Sequence, residues 1–304
     1  MDGILLVNKP IGPTTYDLIR QMKRIVKRKM KIGHTGTLDP MAEGLVMICL
    51  GKTTRISRYL LGKDKQYRGE ITFGVSTDSY DATGEIVKTN DSIKPTLNDI
   101  KNVLKNFIGE INQAPPIYSA KKQNGMKLYK MAHLGITPDE IRSHKVKVYD
   151  FEILDYEYPK LKFTARVGSG TYIRSLANDI GEMLACGGHL SALKRTSIGD
   201  FDLKDAVNLS DIEDSLNPLD SLINNLISVG EALKDFPAIE LSDIDIIKKI
   251  LVGTKININE INLSINVGEK ILLINRHDQR AICFCDVIEK EGEILIKPKI
   301  YFQN

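Results

Sequence analysis

The stretch Gly33-His34-Thr35-Gly36-Thr37-Leu38-Asp39-Pro40 is followed almost at once by an unbroken apolar run, Leu45-Val46-Met47-Ile48-Cys49-Leu50, and together they limit what this chain can become. Six apolar residues bounded by glycines read as a strand buried on both faces, so the sheet that holds it needs cover on both sides. The octapeptide before it reads as a loop. Its two glycines admit backbone angles that other residues resist, while Pro40 biases Asp39 towards extended geometry and sets its own φ near about −65°. An isolated Asp-Pro is ordinarily a turn or helix cap. Here a histidine, two threonines and a carboxylate are mounted over a core, the setting in which loops carry catalytic groups.

With 304 residues the chain can bury a substantial core and divide into two domains. No stretch approaches the ~18 to 20 apolar residues that cross a bilayer, and Met1-Asp2-Gly3 lacks the layout of a signal peptide, which predicts a cytoplasmic protein with no membrane partner. Cys49, Cys186, Cys283 and Cys285 form no Cys-x-x-Cys pair and have no histidine at ligand spacing, so reduced thiols and no structural zinc are expected. Thr77 to Glu85 has the look of a calcium loop but lacks the glycine and terminal glutamate at the required spacing. Net charge is +3, so affinity for a polyanion must come from local patches.

One such patch is explicit. Asp17 to Lys31 has helical period, with Leu18, Met22, Ile25 and Val26 as its apolar stripe and Arg20, Lys23, Arg24, Lys27, Arg28, Lys29 and Lys31 around the remainder. No acidic residue lies between Asp17 and Asp39 to neutralise it, which favours a phosphate-tracking surface over a merely solvated face. A short helix is expected over 53–61 and a strand over 66–74. A helix over 96–107 is expected to carry Thr96 as N-cap and Asp99 at the reciprocal position. Residues 111 to 144 are Pro-, Lys- and Tyr-rich, with a short helix near 127–134. Strands over 145–156 and 161–167 form a hairpin whose first strand slips near Tyr149-Asp150, predicting a bulge. A helix begins near Ile173, placing Tyr172 and Arg174 at its start. From about Ser228 the texture turns β-rich, with a helix over 242–251 and strands over 270–275, 280–288 and 293–302.

His34-Thr-Gly-Thr-Leu-Asp39-Pro-Met-Ala-Glu-Gly44 resembles the catalytic-aspartate motif of the bacterial tRNA pseudouridine synthases of the TruB family. Further matches follow in the family's order: Gly3 to Thr15 with Lys9-Pro10, Lys65-Gln-Tyr67-Arg68, Pro115-Pro-Ile-Tyr118-Ser-Ala-Lys121, Gly125-Met-Lys-Leu-Tyr129, and Gly170-Thr-Tyr172-Ile-Arg174-Ser-Leu. The resemblance implies an α+β fold: a mixed, largely antiparallel sheet flanked by helices over 1–228, and a small β-rich PUA-like RNA-binding domain over 229–304. It also implies that the insertion at about 111–144 closes on RNA, with Lys121 and Lys122 among its cations.

The implied reaction breaks the N-glycosidic bond of a uridine, turns the base and rejoins it through C5, in the T stem-loop of tRNA at position 55, with no cofactor, metal or guide RNA. Asp39 is then the catalytic carboxylate, as nucleophile or base. Desolvation raises a carboxylate's pKa, and an adjacent guanidinium, for which the family points to Arg174, is expected to restore the ionised form. Tyr67 and Tyr172 would hold the flipped base, His34 would fill the gap it leaves, and Leu193 would form an apolar wall. Lys9-Pro10 reads as a brace for the loop. A monomer is expected, since no long apolar seam is left over. Two rivals remain: an RNA-binding protein whose chemistry is secondary, and a synthase guided to ribosomal RNA by a separate RNA.

Overall fold

The computed structural model describes residues 1–27, 29–90, 92–136, 141–261 and 265–303. From the N-terminus, β1 (Gly3–Lys9) leads to α1 (Thr15–Val26), β2 (Ile32–His34), the loop carrying Asp39, and β3 (Glu43–Leu50). Next come α2 (Ser57–Leu61), β4 (Lys65–Phe73), the small hairpin of β5 (Val75–Thr77) and β6 (Ile86–Thr89), α3 (Leu97–Leu104) and β7 (Gly109–Gln113). The insertion contributes β8 (Lys122–Gln123), β9 (Met126–Lys127) and α4 (Leu128–His133). It returns into β10 (His144–Glu157), β11 (Lys160–Val167), α5 (Ile173–Met183), β12 (Gly188–Ile198) and β13 (Phe201–Asp202).

Among the described residues nine strands form one sheet in the order β1-β3-β12-β4-β11-β10-β7, with β2 beside β3 and β13 beside β12. Every pairing in it is antiparallel except that of β3 with β12. The fold is thus α+β on a mixed, largely antiparallel sheet. The apolar run in β3 is explained by cover on both faces: Val46, Ile48 and Leu50 pack with Leu18, Met22 and Val26 of α1, whereas Leu45, Met47 and Cys49 pack on the other side against Leu272, Phe284, Ile300 and Phe302.

Leu272, Phe284 and Ile300 belong to a second, five-stranded sheet, and Phe302 directly follows its last strand. After α6 (Leu209–Glu213), α7 (Pro218–Asn224) and α8 (Val229–Ala232), the chain forms β14 (Ala238–Leu241), α9 (Ile244–Leu251), β15 (Ile256–Asn257), β16 (Lys270–Asn275), β17 (Ala281–Lys290) and β18 (Glu293–Tyr301). The order is β14-β16-β17-β18-β15. Phe284 is buried at the junction, its ring 4.9 Å from that of Tyr59 and 5.0 Å from that of Phe236. Phe284→Ala is therefore expected to cost about 3–5 kcal/mol in urea unfolding. A loss below about 1 kcal/mol would mean that the two sheets do not rely on this contact.

Local signals largely survive into the structure. Thr96 and Asp99 cap α3 reciprocally, Thr96 N–H donating to Asp99 Oδ2 at 2.8 Å and Asp99 N–H to Thr96 Oγ1 at 3.2 Å. The register of β10 with β11 shifts between Val148 and Asp150, the expected bulge. α1 is shorter than its period suggests. It starts at Thr15 under a Thr14–Asp17 capping box and stops at Val26, where Lys27 turns left-handed at φ 51° and donates its N–H to Lys23 O. The chain after it must extend, because β2 pairs with Ile48–Leu50 of β3; sheet pairing overrides helical propensity here. Lys27, Lys29 and Lys31 accordingly leave the helix, and Arg28 lies outside the described residues.

The same edge of β3 that takes β2 at one end takes β12 at the other, through Glu43 and Gly44. The loop from Thr35 to Ala42 occupies the split between them. Gly44 makes this possible: at φ 109° a Cβ would lie 2.3 Å from Arg195 O. Gly33, by contrast, is ordinary extended chain in β2.

Candidate active site

The loop is held mainly by its own carbonyls. Buried Lys9 donates from Nζ to Ala42 O at 2.6 Å and to Pro40 O at 3.4 Å. Buried Arg195, from β12, donates to Leu45 O at 2.7 Å, Gly36 O at 3.4 Å and Thr37 O at 3.5 Å. Thr15 Oγ1 both donates to Leu38 O and accepts from Leu38 N–H. Loop carbonyls that water would otherwise solvate are thus satisfied by cations and a hydroxyl from three different elements. Lys9 braces the loop, as expected. Arg195 was not singled out by the sequence, because its partners are backbone atoms about 150 residues away.

Asp39 projects from this loop into a cleft of about 1360 Å³, lined also by Tyr67, Tyr118, Lys121, Tyr172, Arg174 and Leu193. Its carboxylate meets Arg174 twice, Nε to Oδ2 at 3.0 Å and Nη2 to Oδ1 at 3.3 Å. Arg174 is 6% exposed and fully occupied: Nη1 lies 3.3 Å from Asp81 Oδ2 and donates to Ser79 O at 3.1 Å, and Nη2 donates to Tyr118 O at 3.0 Å. One guanidinium therefore serves two carboxylates. A sequence reading misses Asp81, which lies in the segment weighed as a calcium loop. Its Oδ1 instead accepts from Ser79 Oγ, Thr83 N–H and Thr83 Oγ1, so the turn is closed by its own side chains.

Arg174 pairs with Asp39 and favours its ionised form. The pKa nonetheless stands above its usual value, because burial under the cleft walls outweighs the pull of Arg174, Asp81 adds a like charge, and Lys9 helps only in part. About a third of the Asp39 side chain, 34%, still opens to the cleft. Asp81→Asn removes the like charge while leaving Arg174 in place. The titration of Asp39, followed by NMR of its carboxyl, is then expected to move to lower pH; an unmoved titration would show that the charge of Asp81 does not act on Asp39.

Tyr67 lies in β4 opposite Ala165 and Arg195, its ring buried against the core with an edge on the cleft. Tyr172 is the N-cap residue of α5. Burial raises its phenol pKa above the ordinary value, so it stays a neutral donor at neutral pH. Leu193 is buried in the cleft wall. His34 is half-buried beside the cleft and does not line it. Its Nδ1 accepts Gly36 N–H at 3.4 Å, and burial lowers its pKa, so the ring is neutral near pH 7.

The cations of α1 are less free than the local sequence suggests. Arg20 pairs with Asp17 at 2.8 Å and lies 5.0 Å over the Tyr16 ring, and Arg24 meets Glu213 of α6 at 3.5 Å. A distant glutamate thus supplies the counter-charge that the neighbouring sequence lacks. Lys23, Lys27 and Lys31 are exposed, as are Lys121 and Lys122 in the insertion. The four cysteines are buried free thiols. Among the described residues no group of His, Cys, Asp and Glu is placed to hold a metal ion.

Residues 23–173 match the family described as "TruB family pseudouridylate synthase (N terminal domain)", and residues 174–233 match the "tRNA pseudouridylate synthase B C-terminal domain". A tRNA pseudouridine synthase B of Clostridium kluyveri is 38% identical over 271 residues, 89% of this chain and 90% of that protein. That of Caldanaerobacter subterraneus subsp. tengcongensis is 40% identical over 306 residues, 99% of each. Among solved structures, a chain of a Cbf5-Nop10-Gar1 complex has TM-score 0.73 at 24% identity, covering 99% of this chain and 85% of that one, a likeness of fold.

Proposed function

This chain belongs to the TruB family of pseudouridine synthases, and from that membership and the geometry of its cleft we infer that it isomerises uridine to pseudouridine in tRNA. The observation that carries the assignment of parts is the buried Arg174 gripping the partly open carboxylate of Asp39 beside two tyrosines. In the overall reaction the C1′–N1 bond breaks, C1′–C5 forms, the C5 hydrogen leaves as a proton, and N1 ends protonated. Atoms balance without an oxidant, a reductant or a second substrate.

In this reading Asp39 acts on the nucleotide as nucleophile or base. A raised pKa makes its carboxylate more basic than a free one, while Arg174 and Lys9 favour the anion. Tyr67 and Tyr172 receive the extruded base. Stacking on aromatic rings is worth ~1–3 kcal/mol per base, on the scale of the few kcal/mol that extrusion costs. Leu193 supplies an apolar wall, and the neutral ring of His34 is suited to stacking in the vacated helix rather than to pairing with phosphate.

We assign the substrate site to the T stem-loop at position 55. Lys121 at the cleft mouth, Lys122 and the exposed lysines around α1 would track the RNA backbone. Residues 1–228 form the catalytic unit in this reading and 229–304 a PUA-like unit. With twelve acidic and ten basic residues, the latter would meet RNA through local contacts. No helix among the described residues is long and apolar enough to cross a membrane. The protein is read as a cytoplasmic monomer that needs no guide RNA.

Release of tritium from a tRNA transcript labelled at uridine C5, by the purified protein alone, tests the reading. A protein that only binds RNA releases none, and a guided enzyme releases none until its guide is added.

A further inference from the structure

Tyr172 owes its place to a residue outside its own segment. Its N–H, which precedes the first turn of α5, donates to Gln113 Oε1 at 2.8 Å, and its carbonyl accepts from Gln113 Nε2 at 3.0 Å. The same carbonyl also accepts the first helical bond, from Leu176 N–H. The backbone of Tyr172 is therefore satisfied by three bonds, two of them with the side-chain amide of one residue that is 1% exposed. The orientation of that amide is forced, since a backbone N–H can only donate and a carbonyl only accept.

Gln113 is the last residue of β7 and pairs in register with His144, the first residue of β10, so the two close the base of the insertion. His144 lies against the same loop, its Nε2 3.3 Å from Gly170 O and its ring edge-on to Tyr172 at 6.2 Å. Just beyond Gln113, Ala114 O accepts from Ser175 Oγ at 2.8 Å and Tyr118 O accepts from Arg174 Nη2. The start of the insertion is thus bonded to three of the four residues 172–175, which include the aromatic ring and the cation of the site.

We propose that Gln113 is a positioning residue for the isomerisation: its paired hydrogen bonds set the Tyr172 backbone and, through the first turn of α5, the aim of the Tyr172 ring and of the Arg174 guanidinium at Asp39. The proposal rests on the isomerase reading above. Gln113 touches no reacting atom, and its effect falls on geometry, where a displacement of about 1 Å can cost on the order of 100-fold in rate.

Gln113→Met keeps the length and apolar packing of the side chain and deletes both hydrogen bonds. In single-turnover reactions with C5-tritiated tRNA transcript, the full-length variant is expected to react about 10- to 100-fold more slowly, with its Kd for tRNA within about twofold of the parent. A merely structural role would lower the unfolding temperature and leave the rate per folded molecule unchanged, which overturns the proposal. So does a loss of affinity as large as the loss of rate, which would make Gln113 part of the RNA clamp. Should the Met variant not fold, Gln113→Glu, which keeps the acceptor for Tyr172 N–H and opposes its carbonyl, is expected to show the same split. Failure of both to fold assigns Gln113 to stability alone. If the parent releases no tritium, the isomerase reading fails and the proposal with it. If the parent turns over and the variants match it, only the proposal falls.

Discussion

Asp39→Asn is expected to lose product formation by roughly 10⁴-fold or more, the scale on which removing a nucleophile acts, while its affinity for tRNA stays within a few fold of the parent. The substitution keeps the shape of the side chain and one of the two acceptors facing Arg174, and deletes the charge. A second consequence separates this residue from an ordinary ion-pair partner. Because the native pKa of Asp39 is raised, the folded protein binds its proton more tightly than the unfolded chain does. Between the two pKa values stability falls as pH rises, and above the native value the ionised group is a constant burden on the fold. Asp39→Asn removes that burden, so at neutral pH the variant is expected to unfold at or above the parental temperature. Single-turnover tritium release and thermal unfolding measured on one preparation decide the matter. Substantial turnover would refute the role of Asp39, and a marked drop in unfolding temperature would show that the carboxylate is structural.

Arg174→Ala is expected to damage both fold and activity. Asp81 is buried and Asp39 partly so, and removing their shared cation strands two carboxylates in one site. Breaking a buried pair in this way costs about 3–5 kcal/mol. One of the carboxylates then has to hold a proton, and single-turnover rate is expected to fall by roughly 10²- to 10⁴-fold. Arg174→Lys retains charge but cannot reach both carboxylates and two carbonyls with one ammonium, so it is expected to fall between the parent and Ala. The control is the pair Arg174→Ala with Asp81→Asn, which leaves one carboxylate where there were two. It is expected to recover part of the stability, measured by urea unfolding, and little of the rate. Equal stability of the single and double variants would show that Asp81 is not held by Arg174.

The two predictions divide the site into a group that is expected to act, Asp39, and a group that is shared, Arg174. Asp39 is hung from a loop whose carbonyls are bound by Lys9, Arg195 and Thr15, so its position does not depend on Arg174 alone. Arg174 is itself fixed by Ser79 O and Tyr118 O as well as by the carboxylates. Two separately anchored partners of opposite charge thus hold their ion pair at the wall of an open cleft that Tyr67 and Tyr172 also line.

Much of this was legible in the order of residues. The run Leu45–Leu50 announced a strand covered on both faces, the period of Leu18, Met22, Ile25 and Val26 announced α1, and Thr96 with Asp99 announced the start of α3, since each signal is local and each residue's partners lie within a turn or an alternation. The bulge at Tyr149 showed as a slip in alternation for the same reason. The loop around Asp39 was recognisable because glycine frees the backbone and proline restricts it whatever surrounds them. Tertiary contact decided the rest. α1 ends at Val26 because the next segment must pair with β3, and Arg24 is neutralised by Glu213 of another helix. Arg174 is divided between Asp39 and an aspartate 42 residues further on, and burial in the folded cleft, with the added like charge of Asp81, lifts the proton affinity of Asp39 against the pull of Arg174. Backbone propensity acts over a few residues and is written in them; charge and hydrogen bonding act through space, and only the folded chain says which groups come within reach.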